Sequence, residues 1–219
     1  DIKEEISDAI DLRVLKKYTE EIRMERYLMT PQNIDSQDNL NEKNICSKLF
    51  LNRAEAKASL GDNDSAWRDY LKAIEIDPNN EDLYFLLGNF YKNIDSNNEA
   101  AINEYLKSLK INPKNNIVLS ELANTFREDG KNAEADNTFR LAKEAWLDYA
   151  RYNSTSFHNK ARYEEAIKAC NKALEIDPKF SEAFSIRGSI YGEMEDCNKA
   201  LDNFDKAINI DCNCESAYR

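Results

Sequence analysis

The sequence predicts an all-α protein made of a row of similar helix pairs, and three observations carry that prediction. The first is a phrase that recurs as Ile74-Glu75-Ile76-Asp77-Pro78, Leu109-Lys110-Ile111-Asn112-Pro113, Leu174-Glu175-Ile176-Asp177-Pro178 and Ile208-Asn209-Ile210-Asp211-Cys212. Its spacings are 35, 65 and 34 residues, so the middle interval holds two units with three residues missing from 68, and five units of about 34 residues result. A fixed period of this size marks a repeat architecture, in which no unit hides its apolar side alone. The second observation is a pair of apolar stripes in every unit, both at helical spacing. The third is that five Gly and four Pro leave few places for tight turns in 219 residues.

Taken from the N-terminus, Ile2, Ile6, Ile10, Val14, Tyr18 and Ile22 step by four and predict an amphipathic helix reaching Met29. Thr30-Pro31 ends it, and Gln32 to Asn44, rich in Asn, Gln and Asp, reads as an exposed polar linker. Residues 1–45 therefore stand outside the repeat. Their helix either caps the open end of the array, as repeat stacks require, or serves as a dimerisation or partner helix. The array follows over 46–219, in units of about 47–80, 81–115, 116–146, 147–180 and 181–214, with a further helix beginning at 215–219.

Within each unit the first helix carries Leu83-Tyr84, Leu87-Gly88 and Tyr91, matched by Leu119, Leu122-Ala123 and Phe126 and by Phe184, Arg187-Gly188 and Tyr191. Phe50 and Ala54 repeat the pattern, with Lys57 where the others have an aromatic. The second helix carries small, large, small: Ala66/Tyr70/Ala73, Ala101/Tyr105/Ser108, Ala135/Phe139/Ala142, Ala166/Cys170/Ala173 and Ala200/Phe204/Ala207. Spacings of four and three put each trio on one helical face, with small residues where a neighbouring helix comes close. Short polar turns join the two helices: Gly61 to Asp64, Asp95 to Asn98, Asp129 to Asn132 and Glu195 to Asn198. Their Asp and Asn can cap the second helix, Gly61 and Gly130 suit a left-handed end to the first, and Asp-Pro stops the second helix.

The fourth unit departs from this pattern. Neither Pro nor Gly occurs between Ala142 and Tyr152, and Leu147 stands where the other units place Pro or Cys. One reading, the one we take as the expectation, is a separate helix over 146–157 with Ala150, Ser154 and Phe157 inward. The other runs the preceding helix on through Trp146, Tyr149 and Ala150 and leaves Asn153 to Lys160 as a loop. Ser154-Thr155-Ser156 is poor helix material in either case.

These helix pairs, with a Leu-Gly/Ala pair, an aromatic three later, then Ala, aromatic, Ala and Pro, resemble the tetratricopeptide repeat (TPR) over about 46–219. The resemblance implies a right-handed α-α superhelix whose concave wall, lined by the first helix of each unit, holds a peptide or helix of a partner protein. Groove positions left over from packing are then Asn52 and Glu55, followed by Phe85, Leu86, Asn89 and Lys92, by Ser120, Glu121, Asn124 and Arg127, by Arg151, and by Ser185, Ile186 and Ser189. Phe85, Leu86 and Ile186 would supply apolar contacts. Asn89 and Asn124 hold the same place in consecutive units, and an amide that donates and accepts can hold an extended backbone. The carboxylate clamp of family members that bind heat-shock protein tails does not fit: its positions fall on Leu51, Glu55, Leu86, Ile117 and Glu121.

Other functions find little support. Forty-one acidic against thirty basic residues give a net charge of −11, which repels phosphate backbones and anionic lipid, so neither nucleic acid nor membrane is an expected partner. His158 is the single histidine and has no acid at helical spacing, which leaves no Ser-His or Cys-His mechanism to build on. Cys212-Asn213-Cys214 with Cys197 lacks the spacing of a zinc site, and the five glycines are scattered rather than gathered in a phosphate loop. No enzyme activity, metal or cofactor is expected. Five cysteines in a chain of this size favour a reducing, cytoplasmic compartment over a disulfide framework. The alternatives are a self-assembly module, joined as a homodimer through the N-terminal helix or the C-terminal edge, and the substrate-selecting part of a larger enzyme.

Overall fold

The computed structural model describes residues 36–155 and 160–211, and among these every regular element is an α-helix. In chain order they are α1 (Ser36–Ser59), α2 (Asn63–Ile76), α3 (Glu81–Asn93), α4 (Asn98–Ile111), α5 (Asn116–Glu128), α6 (Asn132–Ser154), α7 (Lys160–Ile176), α8 (Ser181–Glu193) and α9 (Cys197–Ile210). They fall into two compact units, the first ending at Ile111 and holding α1 to α4, the second starting at Asn112 and holding α5 to α9. In each unit, helices adjacent in sequence pack on one another, which is the all-α helical repeat that the periodicity predicts. The N-terminal amphipathic helix, Phe157, His158, Cys212, Cys214 and the start of a further unit lie outside the described residues.

Three of the five small-large-small trios are buried throughout, and in the other two the small residues are buried while Phe139 and Phe204 are half-buried. Ala66, Tyr70 and Ala73 are buried on α2, Ala101, Tyr105 and Ser108 on α4, and Ala166, Cys170 and Ala173 on α7. Gly88 shows why one partner must be small: a Cβ there would lie 2.6 Å from the fully buried Tyr105 ring. The joining turns each place one residue in the left-handed region, namely Gly61 (φ 82°), Gly130 (75°) and, without the freedom of glycine, Ser96 (51°) and Glu195 (62°). Asp62, Asn97 and Asp196 then accept hydrogen bonds from backbone N–H groups three residues on and start α2, α4 and α9.

Two expected boundaries are corrected. α1 begins at Ser36, so most of the segment read as a polar linker is helical. Between Gln32 and Ser59 there is neither Pro nor Gly, and nothing in the backbone interrupts the helix. The separate helix expected over 146–157 is likewise absent as such: α6 runs unbroken for 23 residues through the place where two repeats should meet. Leu147 is the reason. Where a proline would break the ladder, Leu147 keeps its N–H and buries its side chain completely against Ala173 and Ala183. One helix thus packs on both α5 and α7, with Phe139 beneath Arg127 of α5 and Ala150 in the cluster of Tyr163, Ala166 and Cys170. Ser154 and Thr155 finish it by donating their hydroxyls to the carbonyls of Arg151 and Tyr152.

A polar strut takes the place of an apolar contact in two of the helix pairs. Arg53 and Arg187 occupy the position that Leu87 and Leu122 fill elsewhere, and each reaches the residue sixteen further along, on the next helix or the helix paired with it. Arg53 forms a two-pronged bond to Asp69 at 2.7 Å on each arm, and Lys57 adds a third contact to the same carboxylate at 2.7 Å. Lys57, out of place in an aromatic position, is accounted for by this triad. Burial pushes the Asp69 carboxyl up, but the hydrogen bonds and charges of Arg53 and Lys57 outweigh it and hold the group below the usual carboxylate range. Arg187 instead donates to the amide oxygens of Asn203 and Asn171.

Candidate functional site

The second unit contains a groove of about 610 Å³ walled by α5, α6 and α7. It begins with the capping of α5: Asn115 accepts hydrogen bonds from the N–H groups of Ile117 and Val118 and sets the rotation of the helix. Val118, Leu119, Leu122, Ala123 and Thr125 turn inward and are buried. The opposite face, at spacings of three and four, presents Ile117, Ser120, Glu121, Asn124 and Arg127 to the groove. α6 contributes Asp136, Phe139 and Trp146, and α7 contributes Lys172, Glu175 and Ile176.

These walls are held by specific contacts. The Trp146 indole N–H donates to Ser120 Oγ at 2.9 Å, and that hydroxyl donates in turn to the Asn116 carbonyl at 2.9 Å. The Arg127 guanidinium lies 4.2 Å from the centre of the Phe139 ring, a cation–π contact that fixes both. Lys172 and Glu175 form an ion pair at 2.8 Å on the α7 rim. Just outside, Lys143 donates to Asp177 at 2.6 Å, and that bond holds the Asp177 carboxyl below its ordinary range against the opposing effect of burial. Chemically the groove offers apolar surface at Ile117, Trp146 and Ile176, an amide at Asn124, and charges of both signs. Among the described residues no group of three or more His, Cys, Asp or Glu is placed to hold a metal ion.

Ser120, Glu121, Asn124 and Arg127, predicted as groove positions, are brought together here. Asn52, Phe85, Leu86, Asn89 and Lys92 belong to the first unit, on α1 and α3. There Asn89 accepts the Tyr105 hydroxyl at 2.6 Å and Phe85 packs its ring 5.9 Å from that of Tyr105, while Leu86 lies against the core cluster of Ala54, Tyr70 and Leu87. The amide oxygen of Asn89 is therefore engaged, whereas Asn124 makes no side-chain hydrogen bond to another described residue. Arg151 bonds Glu182 at 3.0 Å and Asp148 at 3.4 Å, and Ile186 packs against the Tyr163–Cys170 cluster. Ser185, read as a groove residue, is buried. Phe139 and Trp146 were not among the predicted groove residues. They stand seven apart on one face, a relation that appears only when α6 is read as continuous.

Models of the tetratricopeptide repeat match this chain at residues 54–95, and at 81–115 and 154–180. Protein bimA of Emericella nidulans is 32% identical over 79 residues, a stretch that is 36% of this chain and 9% of that protein. Among solved structures the chain is similar to the MamA protein, with 23% identity, a TM-score of 0.42, and coverage of 75% of this chain and 91% of that one. It is also similar to YrrB, described as a TPR protein with an unusual peptide-binding site, with 24% identity, a TM-score of 0.39, and coverage of 78% and 89%. The repeated phrase, the buried small-large-small trios and the family matches agree in identifying tetratricopeptide repeats within residues 54–115 and 154–180 of this chain.

Proposed function

We propose that the chain is a non-enzymatic scaffold, working in the cytoplasm, that receives a segment of a partner protein in the groove between α5, α6 and α7. The observation that carries this reading is the convergence of Ser120, Glu121, Asn124 and Arg127 with Phe139 and Trp146 on one groove of about 610 Å³. That volume lies within the several hundred Å³ usual for ligand sites, roughly 300–1,000 Å³. Asn124 can both donate to and accept from a peptide backbone, and Ile117, about half exposed at 49%, is an apolar contact with nothing of this unit closed over it. Burying a side chain on Ile117, Trp146 and Ile176 gives affinity, and the polar rim gives orientation. Five cysteines, an odd number in a chain large enough to bury its own core, favour a reducing compartment. No helix among the described residues is long and apolar enough to cross a membrane.

The test is affinity capture on the full chain followed by titration calorimetry with the recovered partner. Asn124→Trp, which fills the groove from its α5 wall, is expected to weaken binding by roughly tenfold or more. A partner that binds the variant as tightly as the wild type uses another surface, and the groove then has no part in recognition.

A further inference from the structure

We propose that the segment received by this groove is basic, with one bulky apolar residue flanked by Lys or Arg. The inference rests on the groove reading above and adds the chemistry of the occupant. Three carboxylates, Glu121, Asp136 and Glu175, face the groove against two cations, Arg127 and Lys172. Lys172 is already matched by Glu175, and Arg127 lies with its flat face on the Phe139 ring. Asp136 is exposed and has no ion-pair partner among the described residues. The wall charges therefore leave one carboxylate in excess, inside a chain whose net charge is −11. Such a field draws a cationic segment in and slows an anionic one.

The apolar part of the motif follows from Trp146. Its indole N–H is consumed by Ser120, so toward the groove the ring offers carbon, beside Ile117 and Ile176. A polar side chain placed there would lose its water without gaining a partner, whereas Leu, Met or Phe would lose nothing. The backbone on either side of that anchor runs along α5, where the Asn124 amide can take both its N–H and its C=O groups. Asp136 lies ten residues before Trp146 on α6, about 15 Å along the helix, so a Lys or Arg about four residues from the anchor in an extended segment faces it.

The experiment is a phage-displayed library of random dodecapeptides, selected on the full wild-type chain and counter-screened on Ile117→Arg and Asn124→Trp, two groove variants whose fold is checked by circular dichroism melting. The expected result is net-positive peptides with a bulky apolar residue, lost on both variants. As fluorescein-labelled synthetic peptides, these should bind roughly fivefold more weakly on going from about 50 to about 500 mM NaCl, and about threefold more weakly to Asp136→Asn. Groove-dependent peptides that are acidic or neutral, or indifferent to salt and to Asp136→Asn, overturn the basic motif while leaving the groove as the binding site. If no peptide is selected, or those selected bind both variants unchanged, the groove reading and the motif fall together.

Discussion

The first unit keeps its helix pairs separate, and the second fuses two repeats through one helix; the contrast isolates what a single position decides. In the first unit Asp77-Pro78 ends α2, Asn80 caps α3, and the Tyr84 hydroxyl donates back to the Pro78 carbonyl. In the second, Leu147 takes the place of that proline and becomes a fully buried contact. The substitution, together with the three missing residues, turns a joint into a rod. It also moves Trp146 from a turn position onto the face that carries Phe139, and so builds one wall of the groove. A departure from the repeat consensus is here the source of one groove wall.

Restoring the consensus at that position should produce the largest effect. Leu147→Pro places a proline inside a helix, costing ~3 kcal/mol or more, and removes a fully buried leucine worth roughly 2–5 kcal/mol. The sum rivals the whole stability of a typical domain, about 5–15 kcal/mol, so the second unit is expected to unfold. Cys170 reports it: burial pushes its thiol up to about 12, against a downward pull from Arg187 and Arg151, and keeps it protonated and inert. Alkylation at Cys170, read by peptide mass spectrometry, should be blocked in the native chain and rapid in the variant.

The second contrast is between the struts. Asp69→Ala leaves Arg53 and Lys57 facing one another without their counter-ion and should cost about 3 kcal/mol in denaturant unfolding. The Asp69 carboxyl is depressed in the folded state, so its contribution is present above the unfolded value near ~4 and is lost as pH falls through the lower folded value. The Arg187 strut ends on the uncharged amides of Asn203 and Asn171 and has no such titration. Acid unfolding followed by amide exchange should therefore loosen the α1–α2 contact below about pH 4 more than the α8–α9 contact, whose acid sensitivity is confined to the exposed Asp196 cap of α9.

Smaller effects grade the helix approaches and the turns. Gly88→Ala forces a methyl group into the immobile Tyr105 ring and should destabilise by about 2 kcal/mol, net of the helix-propensity gain. Gly188→Ala, whose nearest neighbour is the half-buried Phe204 ring at 2.9 Å, should cost less because that ring can shift. Glu195→Gly relieves a left-handed non-glycine residue and should stabilise by about 1 kcal/mol, readable as a rise in the melting midpoint. A destabilising result at Glu195 would mean that its side chain contributes more than its backbone costs.

Much of this organisation was legible because it is local. Spacings of three and four placed Ala66, Tyr70 and Ala73 on a buried face, and the same spacing placed Ser120, Glu121, Asn124 and Arg127 on the open face of α5. The struts were not legible, because residues sixteen apart meet only across a finished helix pair. The run of α6 was misjudged for a specific reason. Ser154 and Thr155 do oppose helix, but they act as its stop rather than as a gap within it, and the absence of a breaker at Leu147 was the stronger local signal. Phe139, read from the sequence as the large member of a packing trio, lines the groove with Asp136 because of how α6 meets α5, which periodicity alone does not set. The placement of Ser185 depended on how closely α8 packs, which periodicity alone does not set.

An unbroken α6 of 23 residues is a strut about 34 Å long. Its Phe139 end carries Arg127 of α5, and its far end carries Arg151, bonded to Glu182 of α8. A tilt imposed at one end cannot be absorbed by a hinge midway. One rigid element thus carries contacts that a regular array of jointed repeats divides between two helices.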